Sequence, residues 1–587
     1  MRLNRPRGQV LYGSGLDRRA FLQASGLGLV AVGALAACAP DAGEAPTGTP
    51  SGVPNVDPIE LGAATDGPIY PDPYIGPTAS QVTAFGSADQ TFRVVVPVDS
   101  LRIADWNNNA FSTWLEERTG VKVQYEQVIT TNADGGSDLT KINAILASGD
   151  LPDAFLGIDF TNDVVSLYGE QGLFVDVGDF VQTYGPEQRR QAEQYPDWRS
   201  LNLAADGRLY QIVGQNDCLH CKTQNARMFI NTDYLEAVGA AVPTTTDEFR
   251  EVLKAFRDRD PSGTGNMVPL TGSVKWPLEN WVTNSFIYNP GARGLWLYLE
   301  GDTPAFAADK DEWREALRYM RSLFDDGSIN RESFTRGPEE IQRIGNRGQI
   351  GAAAGNAWSV FMDMEATEDA AWRSYAGLAP LQGPAGVRYA MYDYAQGPNS
   401  KLVITNACAN PEVLVQWADA QMELEATLRA NMGPDFHWAQ EGEESVDGRQ
   451  AVFIVESYPP AEGLSWAQRA IMYRSNDMRF SQSATNDELG LEAGLKTVAE
   501  DYNQYAQPQE LTLPPLIFEE ASAAQRADLG ATLTSYVVQQ TAKFATAELD
   551  INDDAVWQSY LDDLDAQGLP TFLDLYKQAY DNRPASQ

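Results

Sequence analysis

Phe92-Arg-Val-Val-Val-Pro-Val98 is a short apolar run of strand type, and it opens an alternation that decides the fold. Just downstream, residues 105–119 place Trp106, Ala110, Phe111, Trp114 and Leu115 at helical intervals. Val121-Lys-Val-Gln-Tyr-Glu-Gln-Val128 alternates as a strand does, residues 138–147 return to helical spacing, and 153–158 read as a third strand. Strand, helix, strand, helix, strand implies right-handed crossovers and a parallel sheet covered on both faces. Ligands of such sheets sit beyond the carboxyl ends of the strands, which makes Asp99, Asn107, Asn108, Asn109 and Asp159 candidate cleft residues.

The rest of the chain must be organised around that unit. At 587 residues it exceeds the size at which one core stops growing, so two α/β lobes are expected. Composition is that of a globular protein, with 43% hydrophobic and 21% charged residues. The formal charge is −38. Such a body repels nucleic acid and anionic lipid except through a local patch, and it mildly favours a neutral ligand. No later segment offers about twenty consecutive apolar residues, so no spanning helix is expected.

The amino-terminal stretch has its own pattern. An Arg-bearing start ends in Asp17-Arg18-Arg19-Ala20-Phe21-Leu22-Gln23, an apolar run follows from Ala24 to Ala37, and Leu35-Ala36-Ala37-Cys38 closes it. The run is too short and too rich in Gly and Ala to span a bilayer. The Arg pair resembles a twin-arginine export signal, and the final four residues resemble the lipobox of bacterial lipoproteins. That resemblance implies removal of 1–37, acylation of Cys38 and a body held at the outer face of the cell membrane by lipid alone. Residues 38–90, rich in Pro, Gly, Ala, Thr and Asp, are expected to form a flexible tether, with Tyr70, Tyr74 and Phe85 touching the body.

Several further segments carry a family resemblance. Lys141-Ile-Asn-Ala-Ile-Leu-Ala-Ser-Gly-Asp150-Leu-Pro-Asp153, Tyr168-Gly-Glu-Gln-Gly-Leu-Phe-Val-Asp176, Asp206-Gly-Arg-Leu-Tyr210, Leu381-Gln-Gly-Pro-Ala-Gly-Val-Arg388 and the end around 569–580 resemble, in order, family 1 of the extracellular solute-binding proteins of bacterial ABC transporters. The likeness is to its large oligosaccharide-binding branch, which includes LipO-type lipoproteins and alginate-binding proteins. It implies a two-lobe periplasmic-binding-protein-like fold of type II, with hinge strands and a ligand cleft between the lobes. Transferred here, one lobe holds 91–213 and 395–470, and the other 214–394 and 471–587. Local signals agree: Thr245-Thr-Asp-Glu248 is a capping box before a helical stretch, and Asn410-Pro411 supplies a cap and a first-turn proline before 411–428.

A pyranose presents an apolar C–H face and a rim of hydroxyls, so a sugar site wants flat rings beside Asp, Asn, Gln or Arg. Gly272-Ser-Val-Lys-Trp276-Pro-Leu-Glu-Asn280-Trp281 supplies that mixture, as does Gly433-Pro-Asp-Phe-His437-Trp438. Gly355-Asn-Ala-Trp358 resembles the segment that sets a stacking Trp in the cleft of related sugar-binding proteins. The candidate ligand-binding set is therefore Trp276, Asn280, Trp281, Trp358, Tyr394, Trp438, Asp99, Asn108, Asp159 and Asp217. Trp106, Trp114, Trp313 and Trp417, at helical spacing with other apolar residues, read as core.

Cys218-Leu-His-Cys221 is open to a metal, a redox or a structural reading, and the last suits an oxidising compartment best, as a disulfide between Cys218 and Cys221. Zinc would need two more good ligands in a chain with only two histidines, His220 and His437. Cys408 reads as a buried free thiol. Asp260-Pro-Ser262-Gly-Thr264 resembles the start of the calcium loop of several relatives, but hydroxyls replace the usual amides and the acidic pair before Pro269 is missing, so a plain turn without cofactor is expected. No Gly-x-Ser-x-Gly, His-Glu-x-x-His or phosphate-loop motif is present. The expectation is a monomeric, non-enzymatic receptor that captures an oligosaccharide by hinge closure and delivers it to an ABC permease. A surface-anchored polysaccharide hydrolase or lyase, needing only two facing carboxylates, and a receptor for a peptide or other solute are the alternatives.

Overall fold

The computed structural model describes residues 56–99, 103–130, 138–195, 202–204, 206–217, 219–222, 227–365, 367–394, 398–456, 460–485, 490–516, 518 and 520–583. The export signal, Cys38 and the first part of the tether lie outside these residues, as do the side chains of Cys218 and Cys221 on which the disulfide rests.

The opening alternation folds as its periodicity predicts. Strands β1 (Thr91–Pro97), β2 (Lys122–Val128) and β3 (Ala154–Leu156) are parallel, with helices Ala110–Thr119 and Thr140–Ser148 between them. Later segments complete a six-stranded sheet on the β3 side: β11 (Pro398–Ile404) antiparallel to β3, β4 (Ile212–Asn216) antiparallel to β11, and β14 (Tyr473–Arg474) parallel to β4. The apolar stretch of β1 is buried from Val94 to Pro97, as a strand covered on both faces must be. Trp106, Trp417 and Trp466 are wholly buried and meet in one aromatic cluster, with Trp106 and Trp466 rings 4.9 Å apart. Trp114 stays half-buried between Arg118 and Arg429, its ring 4.9 and 5.0 Å from their guanidinium carbons.

The second sheet has the order β10 (Tyr375–Leu378), β5 (Arg227–Asn231), β9 (Ile350–Gly355), β6 (Val268–Thr271), with β6 and β9 parallel. Its core runs on into the carboxyl-terminal helices Leu491–Asn503, Glu520–Ala545, Asp554–Ala566 and Leu569–Asp581. The chain thus passes between the sheets three times: after β4, before β11 and after β14. Residues through Asn216 and through Arg474 pair in the first sheet, beyond the expected boundaries at 213 and 470. At the passages His220 Nε2 lies 3.0 Å from Arg479 and 3.3 Å from Glu492, a buried charged knot drawing on three segments.

Two expectations need correction. Residues 56–90 are not a free tether: Ile59 N–H donates to Thr183 O (2.8 Å), Ser80 N–H to the buried carboxylate of Glu423 (2.9 Å), and Phe85 N–H to Thr119 O (2.9 Å). Tyr70 and Tyr74 pack on the cluster of Leu424, Leu428, Val452 and Phe453. Backbone hydrogen bonds to the body replace the apolar periodicity the segment lacks. The helix expected over 411–428 is two, Pro411–Asp419 and Leu424–Met432, because Glu423 caps the second by accepting from Ala426 N–H. The capping box at Thr245 and Glu248 forms as read, heading helix Thr246–Arg259.

Candidate functional site

Strands β6 and β9 end side by side, and the chain leaving their carboxyl ends begins the wall of a cavity of about 850 Å³. After β6 the loop folds sharply, with Ser273 N–H donating to Trp276 O (3.0 Å) and Trp276 N–H to Ser273 O (3.1 Å). Gly272 permits this, since a Cβ there would meet Leu278 N at 2.8 Å. Trp276, Asn280 and Trp281 line the cavity on this side. A second loop leads into β7 (Leu297–Glu300) through Leu295 and Trp296, both held at positive φ, 53° and 54°. Such backbone persists only where the surroundings enforce it, and Leu295 and Arg293 of this loop face the cavity.

The remaining wall comes from far along the chain: Tyr392 and Asp393 ahead of β11, Thr512, and Arg526 and Tyr576 of the carboxyl-terminal helices. Gln507, wholly buried, holds these parts together. Its amide nitrogen donates to Tyr392 O (2.6 Å), Thr512 Oγ1 (3.0 Å) and Tyr288 OH (3.2 Å), its amide oxygen accepts from Tyr392 N–H (2.7 Å), and its backbone oxygen accepts from Tyr394 OH (2.7 Å). Burial pushes the Tyr288 phenol well above its ordinary range, so it is a neutral hydrogen-bonding group. Arg526 donates to Tyr576 OH (3.4 Å) and, across the two sheets, to Asp163 Oδ2 (2.6 Å) in helix Asn162–Glu170. Burial raises the Asp163 carboxyl pKa, and Arg526 acts against that rise.

The cavity therefore offers aromatic faces (Trp276, Tyr288, Tyr392, Tyr576) beside amide, hydroxyl and charged groups. That combination binds polyhydroxylated rings.

Of the residues singled out from sequence, Trp276, Asn280 and Trp281 line the cavity, and Tyr394 backs it with its ring 4.6 Å from Tyr392. Trp281 is otherwise core, its Nε1 donating to Tyr502 OH (2.9 Å). The others lie elsewhere. Trp358 is buried against Phe229 and Trp372 and donates to Tyr375 O (2.7 Å); the turn after β9 sends its ring into the core. Trp438 packs on Phe436 and under Gly67, covered by the strap 56–90. Asp99 pairs with Arg469 (3.6 Å), Asp159 lies near Lys401, Asn108 is exposed, and Asp217 accepts from Tyr195 OH (2.6 Å). These four belong to the first sheet's side, and none lines the cavity. Arg293, Gln507, Thr512, Arg526 and Tyr576 carry no local motif that sequence reading could have caught.

In the loop at Asp260, the carboxylate accepts from Gly265 N–H (2.7 Å) and Ser262, while Ser262 and Thr264 hydroxyls bond each other (2.8 Å). Among the described residues no group of three or more His, Cys, Asp or Glu side chains is arranged to hold a metal ion, and no helix is long and apolar enough to cross a membrane. Cys408 is a free buried thiol whose pKa burial pushes up to about 12.

The sequence profile described as "Bacterial extracellular solute-binding protein" matches residues 102–421, more than half of the chain. The chain is 24% identical over 514 residues to the fructooligosaccharide ABC transporter substrate-binding protein FusA of Streptococcus pneumoniae serotype 4, covering 85% of this chain and 91% of that protein. It is 27% identical over 262 residues to lipoprotein LipO of Bacillus subtilis, covering 43% of this chain and 47% of LipO. Among solved structures, it superposes on an "HMO binding ABC-transporter associated Solute Binding Protein" from Bifidobacterium longum infantis with a TM-score of 0.68 at 18% identity, over 84% of this chain and 99% of that one.

Proposed function

The chain belongs to the bacterial extracellular solute-binding protein family, and from that membership we propose that it captures an oligosaccharide outside the cell and hands it to an ABC permease. The observation that carries the reading is the cavity of about 850 Å³ at the ends of β6 and β9, where Trp276, Tyr288, Tyr392 and Tyr576 stand beside Asn280 and Thr512. Rings take the C–H faces of sugars and the polar groups take their hydroxyls. The Arg526 to Asp163 pair beside the cavity gives closure a route: a ligand held on the cavity wall that also touches the first sheet's side stabilises the closed state by its differential affinity for it. No covalent step is required. The protein acts as a monomer, held at the outer face of the membrane through acylated Cys38, and the turn at Asp260 works without calcium. FusA and LipO, named as a transporter substrate-binding protein and a lipoprotein, support the transport and anchoring parts of this reading.

The test is a melting-temperature series of the body from residue 56 with neutral and acidic oligosaccharides, each mixture then analysed for cleavage. A ligand at a hundredfold above its dissociation constant stabilises by about 2.7 kcal/mol. A raised melting temperature with the glycan intact is the expected result. Sustained cleavage overturns the reading in favour of a hydrolase or lyase, and stabilisation by peptides alone overturns the sugar assignment.

A further inference from the structure

The cavity contradicts the charge of the molecule that holds it. The chain carries 81 acidic and 43 basic side chains, close to two acids for each base. The ionisable side chains lining the cavity, phenols apart, are Arg227, Lys275, Arg293 and Arg526 against the single carboxylate of Asp393. Arg227 is wholly buried, and its guanidinium donates to the backbone oxygens of Asn356 and His220. Arg526 is paired with Asp163. Lys275 and Arg293 are exposed at the mouth, and among the described residues neither forms an ion pair. Lys275 adjoins Trp276, and Arg293 sits in the turn closed by Leu295 at φ 53°.

Charge scattered for solubility would reproduce the molecule's excess of acid here. A concave site with aromatic walls focuses the field of its cations on whatever enters, and the surrounding acidity repels anions everywhere else. A wall of this sign binds an anion, and guanidinium matches a carboxylate in a two-pronged geometry that an uncharged hydroxyl cannot reproduce. Resting on the proposal that the cavity takes an oligosaccharide, we infer that its ligand is an acidic one whose sugar rings carry uronic-acid carboxylates, with Lys275 and Arg293 engaging those carboxylates while the aromatic rings hold the sugar faces. The expectation of a neutral glycan, drawn from net charge alone, gives way to the local charge of the site.

The experiment titrates the body from residue 56 with uronate oligosaccharides of several backbones, each beside its carboxyl-reduced neutral counterpart, at low and high sodium chloride. The expected result is that one acidic member binds at least tenfold more tightly than its reduced counterpart, with affinity that falls as salt rises. In the double variant Lys275→Gln, Arg293→Gln that preference and its salt dependence should largely disappear, while the melting temperature without ligand stays put because both side chains are exposed. Equal or tighter binding of a neutral member, insensitive to salt, overturns the acidic assignment and leaves the oligosaccharide reading standing. A silent panel, neutral members included, overturns both.

Discussion

At Gln507 a single amide orders Tyr288, Tyr392 and Thr512 around the cavity. Replacing it in Gln507→Leu leaves buried polar groups without partners, at about 1–3 kcal/mol. Urea unfolding should show that loss, and glycan titration a weaker site. Trp276→Ala removes a ring from the cavity wall but little core, since the side chain is only half-buried. Its expected signature is at least a tenfold loss of oligosaccharide affinity, about 1.4 kcal/mol, with an unchanged urea midpoint. Away from the cavity, burial pushes the carboxyl of Glu187 up to about 8 and that of Asp419 up to about 7. Both values are raised above the unfolded ones, so the folded state holds these protons more tightly. The stability this confers is complete below about pH 4 and is lost as pH rises through 7 to 8. The melting temperature should fall from pH 5 to pH 8, and Glu187→Gln should flatten the fall. An identical slope in wild type and variant would contradict the assignment.

Elements show where local sequence suffices and where it does not. The helix Thr246–Arg259 was readable from Thr245 and Glu248, because a capping box is complete within four residues. The break between the helices Pro411–Asp419 and Leu424–Met432 was not, since Glu423, which caps the second, is held there by Ser80 N–H (2.9 Å) and Arg118 (3.1 Å), partners far away in sequence. Helix Glu520–Ala545 gave no hint that Arg526 reaches helix Asn162–Glu170. Both partners keep some solvent contact, 19% for Arg526 and 15% for Asp163, so Asp163→Asn should cost only about 1 kcal/mol in urea unfolding. A double-mutant cycle with Arg526→Met isolates the pair from the rest of the contact.

For the whole molecule, the strap 56–90 changes what counts as the folded body. Arg118 donates to Ser80 O (2.8 Å), Glu423 accepts from Ser80 N–H, and Tyr70 and Tyr74 cover Leu424 and Phe453. A chain beginning at 91 should lose about 2 kcal/mol or more against one beginning at 56, measured as melting temperature, through exposed apolar surface and an orphaned buried carboxylate. Sequence alone determined that β1, β2 and β3 run parallel, the cap of helix Thr246–Arg259, the family likeness and the aromatic loop at Trp276, because each depends on residues close together in the chain. Tertiary structure decided which rings face the cavity and what charge it carries. Trp358 and Trp438 have sequence surroundings much like those of Trp276, yet one turns into the core and the other lies under the strap. Lys275, Arg293 and Arg526 come to line one cavity only when the loops after β6 and before β7 meet the carboxyl-terminal helices, a meeting set by packing between segments that no local pattern encodes.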